Sequence, residues 1–184
     1  MFVISNNCLN GFFYRDVIKQ EFNHPFFWGY FLTDYLEFIK HYNEINLNSY
    51  EIKHDENWNF YLIIDGKFIY HLLHYKFDKN AEVIRKQNEN VYSNKIWEYI
   101  YEKYEERLNR IPNENPIFVI HWFHNDGFSK ELLKKFVKEK INHKVIIFSP
   151  YEINNDNKNI KIVYTKIAET SDNYTLSKML KDVI

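Results

Sequence analysis

Cysteine, glycine and proline are the scarce residues of this 184-residue chain, which holds one Cys, four Gly and four Pro. The lone cysteine, Cys8, leaves no internal disulfide framework and suits a reducing compartment, so the cytoplasm is the expected location. The glycines are too few and too far apart for a G-x-G-x-x-G or a G-x-x-x-x-G-K-[ST] loop, and no G-x-S-x-G elbow is present. Dinucleotide binding, Walker-type nucleotide hydrolysis and ordinary α/β-hydrolase chemistry are therefore not expected, and no cofactor is implied. A basic excess is missing as well. The 24 Lys and Arg are interspersed with 25 Asp and Glu for a net charge of −1, whereas nucleic-acid binding draws most of its affinity from cationic side chains. No stretch approaches the ~18 apolar residues of a membrane span. Met1 to Asn7 lack the cationic start and apolar core of a signal peptide.

What the chain has in abundance is aromatic bulk, with sixteen Phe, fifteen Tyr and four Trp. Alanine is almost absent. Heavy use of Phe, Tyr, Ile, Asn and Lys matches the codon bias of an AT-rich genome, so a single aromatic carries little functional information and many Asn are read as surface filler. The length fits one domain, taken as residues 1–184.

Along the chain, Phe2 to Ile4 reads as a short buried strand ending at Ser5-Asn6-Asn7. A helix follows with Leu9, Phe13 and Val17 on one face, broken at Asn23 to Gly29. Asp34 is placed to cap a second helix, with Glu37 in the capping-box position and Tyr35, Phe38, Ile39 and Tyr42 on its apolar face. Two β-rich runs, Asn59 to Ile64 and Lys67 to Leu73, flank Asp65-Gly66, the dipeptide best suited to a two-residue hairpin. Helix is expected from about Asp78 to Gln87, and again after Ser93 with Trp97, Ile100, Tyr101, Tyr104 and Leu108 in a stripe ended by Pro112. Buried strands are expected at Pro116 to Ile120, Lys144 to Phe148 and Ile160 to Tyr164. A helix capped by Ser129 lies between the first two, and a last helix runs from about Thr175 to Val183. This alternation predicts an α/β domain with a largely parallel C-terminal sheet, helices on both faces, and one antiparallel hairpin in the same mixed sheet.

Few residues offer chemistry. Cys8 sits where a strand gives way to a helix, and helix-start amides favour a thiolate; the competing reading is a small hydrophobe packed under the helix. A nucleophilic Cys needs a base. His71 and His74, like His121 and His124, are spaced H-x-x-H at strand ends, where residues three apart face opposite ways and do not chelate. His74, read as the last residue of its strand, is the preferred base and His71 the next. The alternative for each is a satisfied polar residue at a sheet end. Asp126-Gly127 follows a parallel strand, where ligands of open α/β sheets bind. Asp126 would orient a histidine, hold a substrate hydroxyl or, with His124, ligate a metal; the alternative is an ordinary turn. The patch Pro25-Phe26-Phe27-Trp28 with Tyr30 suits either sugar stacking or core packing.

Ile4-Ser5-Asn6-Asn7-Cys8, with Gly11 and Tyr14, resembles the opening I-S-N-N-C-W-G-G-x-x-Y of a bacterial family, domain of unknown function 1919. Its members are labelled exopolysaccharide biosynthesis proteins. Pro25-Phe26, Asp34-Tyr35 with Phe38, Ile69 to Lys76, and Asp126-Gly127 before Ser129 follow in the same order. The chain departs from the pattern at Leu9 and Asn10 after the cysteine, and at Phe123-His124-Asn125 before Asp126. The opening is also loosely similar to papain-like proteins, with an early Cys at a helix start and a His on a later strand.

The resemblance implies a protein of bacterial surface-polysaccharide synthesis, acting on a glycan or nucleotide-sugar-like molecule. Catalysis would fall to Cys8, His74, His71 and Asp126, with Asn6, Asn7, Asp34 and Tyr75 binding substrate and no metal required. The contrasting expectation is a non-catalytic accessory domain that binds a partner protein or a sugar, with Cys8 as packing.

Overall fold

The structure is a computed structural model that describes residues 1–19, 24–26, 29–32, 35–55, 59–78, 83–86, 89–92, 96–123 and 127–184; of 73–78, 83–86, 89–92, 96, 97 and 99 only the backbone is described. The class is α/β, as the alternation of strands and helices predicts. The parallel and antiparallel strands lie in two separate sheets. Contacts gather the chain into two compact units interleaved along the sequence, where the length alone suggests one domain. The first takes Met1–Phe22, Leu36–Tyr42 and Pro112–Ile184, the second Asn23–Tyr35 and Asn43–Ile111.

The first unit is built on a four-stranded parallel sheet in the order β1 (Val3–Ser5), β8 (Ile117–His121), β9 (Lys144–Ser149), β10 (Ile160–Tyr164). Val145 to Phe148 are fully buried, as expected of a strand covered on both faces. Partners in register share a face, so Ile4, Phe118 and Val145 point one way, and Ser5, Val119 and Ile146 the other. On the first face Phe118 meets the rings of Phe38 and Tyr42, at the end of helix α2 (Tyr35–His41), at 6.3 and 5.3 Å. On the second face α1 (Leu9–Phe12) packs beside the C-terminal helix α5 (Asn173–Val183), with Phe12 edge-on to Tyr174 at 6.0 Å. Helices therefore cover both faces. Helix α4 (Lys130–Phe136) joins β8 to β9 and starts as predicted, Ser129 accepting from the Leu132 N–H at 3.1 Å. Leu133, Phe136 and Val137 are its buried residues.

One local departure has a plain cause. α1 does not continue as α-helix but widens into a π-helical stretch, Phe13–Ile18. The wider turn carries Val17 off the Leu9–Phe13 face and leaves it half-buried. It also turns Tyr14 onto β1, where its hydroxyl accepts from the Val3 N–H and donates to the Met1 carbonyl, both at 2.9 Å. Burial raises this phenol to about 12, so it stays a donor.

The second unit is an antiparallel sheet in the order β3 (Tyr50–His54), β4 (Asn59–Ile64), β5 (Phe68–Asp78), β6 (Val83–Lys86), β7 (Glu89–Tyr92), with the short β2 (Tyr30–Phe31) also on β5. The hairpin forms at Asp65-Gly66 with φ of 53° and 63°, the left-handed pair a type I′ turn requires. Burial alternates along β4, Phe60, Leu62 and Ile64 facing the core opposite Leu72, Tyr70 and Phe68. Gly29 must be Gly, since a Cβ there would overlap the His71 carbonyl and stand 2.6 Å from the Tyr70 ring. Helix α3 (Ile96–Leu108) matches the stripe read before Pro112, with Ile100 and Tyr104 buried and the Tyr104 ring 4.2 Å from Tyr50.

The helix expected from Asp78 to Gln87 is not formed. β5 runs through Asp78, and β6 and β7 pair as a further antiparallel ribbon, Val83 opposite Tyr92 and Lys86 opposite Glu89. The charged residues there favour helix locally, but ladder hydrogen bonds to strands outside the segment override that preference. Asp34 lies outside the described residues.

His143, which precedes β9, is 3% exposed, and its Nδ1 has no hydrogen-bond partner among the described residues. The Phe118 and Tyr42 rings stand edge-on at 5.3 and 5.7 Å, and burial pulls its pKa below the usual histidine value. The unfolded chain then binds this proton more readily than the folded one. The neutral ring's contribution is intact above about pH 6.5 and is lost as the pH falls through the interval down to the depressed folded value. Thermal melts between pH 8 and 5 should show a larger drop for the wild type than for His143→Leu; parallel drops would contradict this.

Candidate functional site

The carboxyl edge of the parallel sheet is where the residues singled out in the opening segment meet. β1 ends at Ser5, and the next residues bind the end of β8 rather than projecting away from it. Asn6 is 6% exposed. Its side-chain amide donates through Nδ2 to the His121 carbonyl at 3.1 Å and accepts through Oδ1 from the His121 N–H at 2.9 Å. The side chain thus reproduces the pair of bonds that a neighbouring strand residue would make.

Asn7 uses its amide just as fully. Oδ1 accepts from the Leu9 N–H and Nδ2 donates to His121 Nδ1, each at 3.1 Å. His121 is 1% exposed, and its Nε2 faces the Ala168 carbonyl at 3.2 Å. Nε2 therefore carries a proton for the Ala168 carbonyl, and Nδ1 lies within hydrogen-bond distance of Asn7 Nδ2. Asn173, the first residue of α5, brings Oδ1 to 3.0 Å from the same Nδ1. One imidazole ties together the end of β8, the start of α1, the turn at Lys166–Glu169 and the start of α5. His121 has the buried, satisfied role that was the alternative to catalysis.

Cys8 follows directly. It is half-buried and stands at the start of α1 with φ −70° and ψ 3°. The amides expected to favour its thiolate are partly engaged: Leu9 N–H is held by Asn7, Asn10 N–H by Ser5 Oγ at 3.2 Å, and Phe12 N–H by the Cys8 carbonyl at 3.3 Å. These bonds hold the loop, and Cys8 is partly exposed.

Asp126 and His124 lie outside the described residues, which resume at Gly127, φ 80°. His71 and His74 belong to the second unit, Cys8 to the first. His71 is 8% exposed, its ring stacked on Tyr61 at 4.9 Å and edge-on to Tyr30 at 4.8 Å. His74 does not end its strand, because β5 continues to Asp78 on its pairing with β6. The β4 ladder jumps from Phe60 opposite Leu72 to Asn59 opposite Lys76, so residues 73–75 stand off the β4 register. The side chains of His74 and Tyr75 are outside the description. Among the described residues no three His, Cys, Asp or Glu side chains gather as a metal-binding group, and no helix is long and apolar enough to cross a membrane.

The sequence reading missed a second cluster. Asn155, Asn157 and Asn159 pin the strandless connector between β9 and β10. Asn157 Nδ2 donates to the Glu139 carbonyl at 3.0 Å, and Asn155 and Asn159 donate to the Ile160 and Ile141 carbonyls at 2.6 Å. Their alternate spacing was the available signal, masked by the general abundance of Asn. Comparison of the chain with protein-family models, curated proteins and solved structures finds no match.

Asn6→Ala should lower the unfolding free energy by about 2–3 kcal/mol, since it strands a buried N–H and C=O together. Asn6→Asp, which turns a buried carboxylate oxygen toward the His121 carbonyl, should cost at least as much. A loss of under about 0.5 kcal/mol for Asn6→Ala in urea unfolding, the range of an ordinary surface change, would refute the clasp.

Proposed function

We propose that the protein acts in bacterial surface-polysaccharide synthesis in the cytoplasm, with Cys8 as the nucleophile of a hydrolase or transferase step on a glycan precursor. The observation that carries this reading is the placing of Cys8, partly exposed on a hydrogen-bonded loop at the carboxyl edge of a parallel sheet. Ligands of open α/β sheets gather at that edge, and the Ile4-Ser5-Asn6-Asn7-Cys8 opening supports the family association. In this scheme the thiolate adds to an electrophilic carbon of the substrate and expels its leaving group; water or an acceptor hydroxyl then releases the product. His74 or His71 is the base the scheme requires.

One set of observations favours a second reading, the accessory domain. Asn6 and Asn7 use their amides on the protein itself, and the Leu9 and Asn10 N–H groups are already engaged. On this reading the Cys8 loop is scaffold and the protein works by binding.

Alkylation separates the two. A nucleophile should react with iodoacetamide with a midpoint well below about 8.5, the value of a free cysteine. His74→Gln or His71→Gln should move that midpoint upward if either residue is the base. Cys8→Ser should abolish polymer production in the producing cell. A midpoint at or above the free value, with production intact in Cys8→Ser, leaves the accessory reading.

A further inference from the structure

Away from the Cys8 loop, the first unit carries a groove of about 350 Å³ between α4 and the connector from β9 to β10, lined by Lys130, Lys134, Lys138, Val137, Glu152, Ile153 and Asn154. The volume is within the range of ligand pockets. Lys130 and Lys134 are four residues apart on α4, which sets them about 6 Å apart along the helix axis on one side. Lys138 lies in the turn just past α4. Val137, 7% exposed, and the half-buried Ile153 supply an apolar floor. Three lysines face one glutamate, although the whole chain is nearly neutral.

The far wall is held in place. Asn157 bonds the carbonyls of Val137 and Glu139 beyond α4 at 3.4 and 3.0 Å, and Ser149 Oγ accepts from the Tyr151 N–H at 2.9 Å where the connector leaves β9. The groove is thus set before any ligand arrives.

We propose that this groove binds an acidic glycan, a linear sugar chain bearing carboxylates. Three cations along one groove match a chain that carries several anions. The floor of Val137 and Ile153 suits the apolar face of a sugar ring. Glu152 and Asn154 accept hydrogen bonds from hydroxyls, so a ligand carrying both carboxylates and hydroxyls uses every group of the lining. A nucleic acid fits less well, because no lining side chain is aromatic and no base has a stacking surface. An acidic peptide would leave Glu152 facing like charge. The groove is independent of Cys8; the choice of a glycan extends the surface-polysaccharide reading.

Calorimetric titration of the full chain with an oligouronate, a neutral dextran oligomer of equal length, a single-stranded DNA oligomer and an oligoglutamate tests the assignment. The oligouronate should saturate with an affinity that falls as salt is added; dextran should not bind. The Lys130→Gln, Lys134→Gln, Lys138→Gln triple variant, whose substitutions are all at exposed positions, should bind the oligouronate about tenfold more weakly with an unchanged circular dichroism spectrum. No saturation at low salt, equal binding by the variant, or equal affinity for DNA or oligoglutamate would overturn the proposal. Failure of the Cys8 chemistry is read separately, by alkylation, and leaves this outcome untouched.

Discussion

The amide of Asn6 is the interaction on which the described site depends. β1 is short, at the edge of the sheet beside β8 among the described strands, and its ladder ends where the chain must turn into α1. By bonding both backbone groups of His121, Asn6 extends that pairing by one residue without extending the strand. His121 is thereby fixed in orientation, and its ring collects α1, the Lys166–Glu169 turn and α5 around the end of the sheet. A hydrophobic residue in place of Asn6 would fill the space but leave the bonds unmade. Buried polar groups of this kind cost stability when unpaired and fix one arrangement when paired.

The same economy explains the mixed character of the Cys8 loop. Its three polar neighbours Ser5, Asn6 and Asn7 act as internal connectors, replacing backbone hydrogen bonds that a tight strand-to-helix turn cannot make. Cys8 stands beside these connectors, partly exposed. Rigidity of the surroundings is what a nucleophile needs, and also what a structural corner looks like. The geometry of the loop serves both roles.

Local chemistry was legible in the sequence. Asp65-Gly66 between two β-rich runs specifies its own turn, Ser129 caps its own helix, and the apolar runs at 118–120 and 145–148 are buried where they pair. Cys8 at a strand-to-helix junction follows from the same local signals. Non-local pairing was not legible. Residues 83–86 are strand because they pair with the end of β5 on one side and with 89–92 on the other, and His74 is interior to a strand because β6 prolongs it. The roles of Asn6 and Asn7 rest on a residue 114 or 115 positions away, and no spacing within the opening segment encodes it. A single mixed sheet was the simplest assembly of the expected strands, whereas the two sheets reflect how the chain threads between two units.

That threading has a consequence for the order in which the protein is made. β1 ends at Ser5 and its partner begins at Ile117, so a ribosome adding about 5–20 residues per second leaves the first strand waiting for roughly 5–20 s. Throughout that interval Leu9, Phe13 and Tyr14, all buried in the finished protein, have no sheet to cover them. The inserted strands β3 to β5 and helix α3, whose mutual contacts are closer in sequence, emerge complete before Ile117 leaves the exit tunnel. The apolar side chains that follow β1 therefore stay uncovered until β8 has been made.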